Sequence, residues 1–174
     1  EAGFGVSVVN GCKDGVSVRH GVVGVIMLKS PNYPNPDADK ERHIFTWSLF
    51  PHTGGWREAG TVYEAYRLNN PPTAVVKTNA PGALPAVWSL IESDAENVII
   101  EAVKKAEDGD ALLVRVYECH TRRPKATLRA AAPLAPAAER DLLERHAEPP
   151  PPHRAALSFQ ILPSQLKHAT LLLK

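Results

Sequence analysis

The chain has 174 residues, 44% of them hydrophobic and 22% charged, with a formal net charge of +1. That is an ordinary globular profile, enough for one medium domain or two small ones. The balanced charge gives no electrostatic reason to expect nucleic acid or an anionic membrane as partner, and no apolar run approaches the ~20 residues that span a bilayer.

The opening Glu1-Ala2-Gly3-Phe4-Gly5 carries neither an initiator Met nor a signal-peptide pattern, as expected of a piece of a longer polypeptide or of a processed terminus. Gly5 to Val9, Val16 to Val18 and Val22 to Leu28 predict strands, because β-branched side chains fit a pleated, half-buried surface. Between the first two lies Asn10-Gly11-Cys12-Lys13-Asp14-Gly15, with two strong turn signals, Asn-Gly and Asp-Gly. Arg19-His20-Gly21 makes the next turn, so the expectation is a β-meander. Ser30 to Glu41 holds three prolines and reads as an exposed loop.

The stretch from His43 to Asn70 combines three idioms. Ile44 to Phe50 reads as a strand with apolar residues on both faces, expected to be covered on both sides. Pro51 is expected to break it and Thr53-Gly54-Gly55 to turn the chain. Ala59, Val62, Tyr63 and Tyr66 then recur at i, i+3, i+4 and i+7, which predicts one short helix near residues 57–68.

Pro71 to Pro85 marks a composition shift and predicts a linker. Short strands are predicted beyond it at Val87 to Ile91, Val98 to Val103, Leu112 to Tyr117, Lys125 to Ala130, Leu157 to Leu162 and His168 to Leu173. The Glu107 to Asp110 turn is a hairpin signal, and the spacing suggests a small antiparallel sandwich. Pro133 and Pro136 interrupt the helix-favouring run from Ala130 to Arg145, leaving a loop and then a short strand or one helical turn at Arg140 to Leu143. Glu148 to His153, with four consecutive prolines, reads as a solvated polyproline-like spacer.

Local chemistry is thin. Cys12 and Cys119 make no metal-ligand pattern; a disulfide is open, but reduced thiols are the plainer reading. None of the seven histidines belongs to an H-x-x-x-H helix, and His20, His43 and His52 read as surface or turn residues. There is no G-x-S-x-G elbow, and Gly3-x-Gly5 and Gly21-x-x-Gly24 open no helix as a phosphate loop must. The acids Asp37, Asp39, Glu92, Asp94, Glu96, Glu107, Asp108 and Asp110 read as solvated loop and turn groups rather than a glycosidic pair. Trp47, Trp56, Tyr63 and Tyr66 offer faces to a sugar ring, but their spacing fits a buried face better. These patterns compose no complete active site.

The order of motifs says more. GFGVSVVNGCKDGVSVRHGVVGVIMLKSP resembles the C-terminal β region of family 38 glycoside hydrolases, the α-mannosidases, and in particular their cytosolic and vacuolar branch. The likeness continues through HIFTWSLFPHTGGWREAGTVYEAYRLNNPP, SDAENVIIEAVKKAEDGDALLVRVYECH, LLER and LSFQILPSQLKHATLLLK, in the right order. It implies a mainly β fold: the end of a large β-sandwich (supersandwich) over 1–72, a linker over 73–86, and a small antiparallel β-sandwich over 87–174. It implies hydrolysis of α-linked mannose from oligosaccharides, with retention, through an aspartate nucleophile and a zinc ion. Both belong to an N-terminal catalytic domain absent from this chain, so no catalytic residue and no metal ligand is carried over.

In the branch, the turn matching Asn10 to Gly15 lies toward the catalytic face. Asn10, Cys12, Lys13 and Gly15 match, whereas Gly11 stands where Asp is usual and Asp14 where Tyr is usual. Asn10 and Lys13 are therefore the candidate substrate contacts by resemblance, and Trp56, on the Gly-Gly turn, is a third. The expected partners are the catalytic domain of the same polypeptide and mannose-containing oligosaccharides, with a homo-oligomer left open and no cofactor held by this chain. The expected location is the cytoplasm, or alternatively the vacuole. Two further readings stay open: a free-standing carbohydrate-binding β-sandwich using Trp47 or Trp56 as its platform, and a structural domain without ligand. An incomplete sandwich should also expose much apolar surface.

Overall fold

The computed structural model describes residues 3–77, 81–107, 109–132, 138–145, 147–148 and 156–171. By its internal contacts the chain divides into two units, Glu1–Lys77 and Thr78–Lys174.

The first unit contains β1 (Phe4–Asn10), β2 (Val16–Arg19), β3 (Val22–Val25), β4 (Trp47–Thr53) and one helix, α1 (Thr61–Asn69). Its opening is not a meander. β1 pairs antiparallel with β4, from Phe4 opposite Thr53 to Asn10 opposite Trp47, whereas β2 and β3 form their own hairpin. That hairpin turns on His20 and Gly21 with φ of 50° and 78°, the two positive values that a tight two-residue turn between twisted strands requires. Asn10 to Gly15 is instead a six-residue crossing, which frees β1 to seek a distant partner.

Nor does Pro51 break its strand: it lies within β4, opposite Val6. Among the described residues β4 has a ladder partner on one side only, and an imino nitrogen is tolerated on the open side. The strand is also not covered on both faces, since Trp47 and Leu49 are exposed. The helix begins later than its spacing suggests, at Thr61, because Trp56 to Gly60 form turns. Gly60 caps it at φ 67°, a left-handed conformation that suits glycine.

The second unit holds β5 (Ile91–Ser93), β6 (Val98–Lys105), β7 (Leu112–Glu118), β8 (Lys125–Ala130), β9 (Ala138–Arg140), β10 (Ala147–Glu148), β11 (Ala156–Gln160) and β12 (Leu166–Leu171). They form a five-stranded sheet in the order β10-β9-β12-β7-β6 and a three-stranded sheet in the order β11-β8-β5, each antiparallel. Val98, Val114, Val116 and Ala169 from the first sheet meet Ile91, Ala126, Leu128, Leu157 and Phe159 from the second in one buried core. This is a small β-sandwich. Glu101 forms a bulge in β6, where Ile100 pairs with Val116 and Ala102 with Arg115.

The strand expected at Val87 to Ile91 is displaced to Ile91–Ser93. Where a short strand or one helical turn was expected at Arg140 to Leu143, strand Ala138–Arg140 is followed by a turn in which Glu144 N–H donates to the Asp141 carbonyl at 3.0 Å. Expectations at Pro133 and Pro136, at Asp108, at Glu148 to His153 beyond Glu148, and at residues 172–174 lie outside the described residues.

Candidate functional site

The Asn10 to Gly15 crossing is held by its first side chain. Asn10 Oδ1 accepts from the backbone N–H of Cys12 at 3.2 Å and of Lys13 at 2.7 Å, the local bonding that makes Asn a turn former. Gly11 N–H donates to the Thr46 carbonyl at 3.1 Å, seating the crossing on the end of the β1–β4 ribbon. Lys13 then reaches over the Phe45 ring, with Nζ 5.5 Å from its centroid.

A cleft of about 310 Å³ opens beside the crossing, and its rim includes Lys13, Asp14, Lys29, Asp39 and His43. His43 Nε2 donates to the Asp39 carbonyl at 2.9 Å, which fixes that ring. Two lysines and two aspartates thus border one cleft. Such a rim offers donors and acceptors to a polyhydroxylated ligand without a dominant charge.

Asn10 and Lys13 are brought together by this crossing, but Trp56 is not. The crossing follows Asn10 and Trp56 follows Thr53, so they lie past opposite ends of a seven-residue ribbon, roughly 20 Å long at the rise of a strand. Trp56 also has the Arg57 guanidinium 4.4 Å over its ring, which occupies one stacking face.

At that far end, Ser7 Oγ lies 3.0 Å from His52 Nε2 and 2.9 Å from Thr61 Oγ1. A serine beside a histidine invites a nucleophile reading, but the buried His52 Nδ1 has no hydrogen-bond partner to orient the ring. The contacts instead tie α1 to the sheet.

Among the described residues no group of three or more His, Cys, Asp and Glu converges to hold a metal. Cys12 and Cys119 are both free thiols, and burial pushes the Cys119 thiol upward, with the Glu118 charge adding to it, so it is no activated nucleophile.

Sequence reasoning missed Glu118. It is 2% exposed, yet Oε1 accepts from Asn97 Nδ2 at 2.8 Å and His120 N–H at 2.7 Å, and Oε2 from Ser164 N–H at 3.0 Å. Burial favours the neutral acid, but these bonds and one from the Arg122 backbone outweigh it and lower the pKa to about 2. The signal was present in the alternation of β7. A residue two beyond Val116 must face the core side, and an acid there needs partners.

The family model for the glycosyl hydrolases family 38 C-terminal beta sandwich domain matches residues 97–167. Alpha-mannosidase 2C1 of Homo sapiens is 38% identical over 149 residues, which is 83% of this chain and 14% of that protein. Alpha-mannosidase G of Dictyostelium discoideum is 36% identical over 122 residues, covering 68% of this chain and 11% of its own length. An alpha-mannosidase of Saccharomyces cerevisiae is 30% identical over 130 residues, covering 66% and 12%. The chain therefore spans a small part, 11–14%, of the relatives it matches here. With the 38% identity over 83% of its length, and a two-sheet core that includes the matched residues, the chain belongs to the C-terminal region of the family 38 glycosyl hydrolases, the α-mannosidase family.

Proposed function

We propose that this chain is the non-catalytic C-terminal region of an α-mannosidase that removes α-linked mannose from oligosaccharides with retention. Residues 1–72 complete a large sandwich that supports the catalytic domain, 73–86 link, and 87–174 form the terminal sandwich. The observation that carries this reading is the contrast between the two units. In the first, Val9 is the one buried hydrophobic side chain among the described residues, while Val6, Val18, Val22, Trp47 and Leu49 are exposed. A surface of that kind is what an element leaves when its partner layer lies elsewhere in the polypeptide. Trp47 shares a groove with Val6, Val8, Val23, Val25, Met27 and Leu49, which suits a packing face better than a free-standing sugar platform.

The aspartate nucleophile and zinc belong to the catalytic domain in this reading, and no residue here acts on the scissile bond. The Asn10 to Gly15 crossing contributes to the cleft, with Lys13 its substrate contact. The partners are then the rest of the polypeptide, mannose-containing oligosaccharides and, in a homo-oligomer, a second copy. The cytoplasm is the proposed location and the vacuole its alternative, on the resemblance to that branch; imaging a tagged full-length protein tests this, and secretion would refute it.

The isolated chain should not turn over a chromogenic α-mannoside, and turnover by the chain alone would overturn the reading. In the full-length enzyme, Lys13→Ala should raise KM about fivefold with kcat little changed, as expected for a contact made equally before and during reaction. An unchanged KM removes Lys13 from the cleft.

A further inference from the structure

The three-stranded sheet of the terminal sandwich has a largely polar outer face. Ile91, Ala126, Leu128, Leu157 and Phe159 point into the core. The alternate positions therefore point outward, where Glu92 stands opposite Arg129, Thr127 opposite Ser158 and Lys125 opposite Gln160. Ala156 of β11 also stands opposite Arg129 in this row; the others are hydrogen-bonding side chains, and Thr127 and Ser158 bond each other at 3.0 Å. At one end of this polar row, Glu92 and Arg129 share a depression of about 270 Å³ with Val87, Trp88 and Ser89. Trp88 is 49% exposed there and Val87 90% exposed.

We propose that this depression is a binding site for neutral oligosaccharides, with Trp88 as the stacking face and Glu92 and Arg129 as the hydroxyl contacts. A pyranose ring presents an apolar C–H face bordered by hydroxyls that both donate and accept. An exposed indole fits the first feature. The carboxylate and guanidinium fit the second, because one only accepts and the other only donates, and both make charge-assisted bonds. Their opposite charges stand side by side on paired strands, and among the described residues no other charged side chain lines the depression, so it favours a neutral ligand there; Lys125 lies at the far end of the row. The strands lay the polar row flat, which gives an extended chain of sugars further partners in Thr127, Ser158 and Gln160.

The test titrates the full 174-residue chain with mannotriose and separately with maltotriose, following amide shifts by NMR. Saturable shifts are expected around residues 87–93 and 127–131, with a dissociation constant on the order of 1 mM, the scale of a weak surface contact. Trp88→Ala should weaken binding at least ~tenfold and Trp88→Phe should retain most of it, since a ring face remains. Glu92→Gln and Arg129→Met should each weaken it about fivefold. The thermal midpoint of Trp88→Ala should stay within about 3 °C of the parent, as for an exposed side chain. No saturable response to either sugar, or a response that Trp88→Ala leaves intact, overturns the site. The mannose probe rests on the function proposed above, whereas maltotriose does not. Binding of maltotriose alone supports the site, and turnover of an α-mannoside by the chain bears on the function only.

Discussion

At the scale of single residues, Glu118 shows how a buried charge is made tolerable. An isolated carboxylate in a protein interior would be expelled or protonated. Here N–H donors from the segments holding Asn97, His120, Arg122 and Ser164 converge on it, so it closes one end of the terminal sandwich. Its folded pKa of about 2 lies below the ordinary carboxylate value of 4.5. The stability it confers is therefore fully present above that ordinary value and is lost as pH falls through 4.5 toward 2. Glu118→Gln turns an amide donor toward donors and should cost roughly 2–3 kcal/mol, while flattening the acid limb of stability. Urea midpoints of the second unit between pH 5 and pH 2 (roughly the span between the two pKa values) check this, and an unaltered acid limb in the variant would refute it. The residue was legible as an inward-facing acid, but its partners were not. Asn97 and Ser164 stand 21 and 46 positions away, and only the folded loops bring them together.

At the scale of elements, α1 is held by tethers more than by burial. None of its residues is buried, and its N-terminus has no side-chain cap. Its first residue, Thr61, bonds Ser7 Oγ, which also meets His52, and at the other end Asn69 Nδ2 donates to the Asn10 carbonyl at 3.2 Å. The helix thus runs along β1 and fixes the strand that ends in the candidate cleft. Ser7→Ala removes two bonds and should destabilise the helix by about 1–2 kcal/mol. Gly5→Ala should act on the same tether, because a Cβ there overlaps the His52 ring. Hydrogen exchange at the amides of Ala65 to Asn69 reads both effects, and unchanged protection in Ser7→Ala would rule out the tether. The helical spacing of Val62, Tyr63 and Tyr66 exposed this element in the sequence, with its start displaced. The pairing of β1 with β4 was hidden, because near-continuous valines do not name a partner, and among the described residues of this unit only Val9 is a buried hydrophobic.

At the scale of the whole molecule, the two units have different claims to independent stability. Burial stabilises a large apolar side chain by ~1.5–3 kcal/mol. The terminal sandwich buries Ile91, Val98, Val114, Val116, Leu128, Leu157, Phe159 and Ile161 in a single cluster, whereas the first unit has Val9. Its groove of about 370 Å³, lined by Val6, Val8, Val23, Val25, Met27, Trp47 and Leu49, stays open. The isolated chain should therefore unfold in two stages. Trp47 and Trp56 report on the first unit and Trp88 on the second, so Trp→Phe variants that keep one reporter class separate the stages by fluorescence. The first-unit signal is expected to change at the lower urea concentration, and the native chain should bind a hydrophobic dye that the open groove accepts. A single coincident transition would mean that the two units stabilise each other. That would remove the main support for placing the missing layer of the first unit elsewhere in the polypeptide, because its apolar face would then be satisfied within these 174 residues.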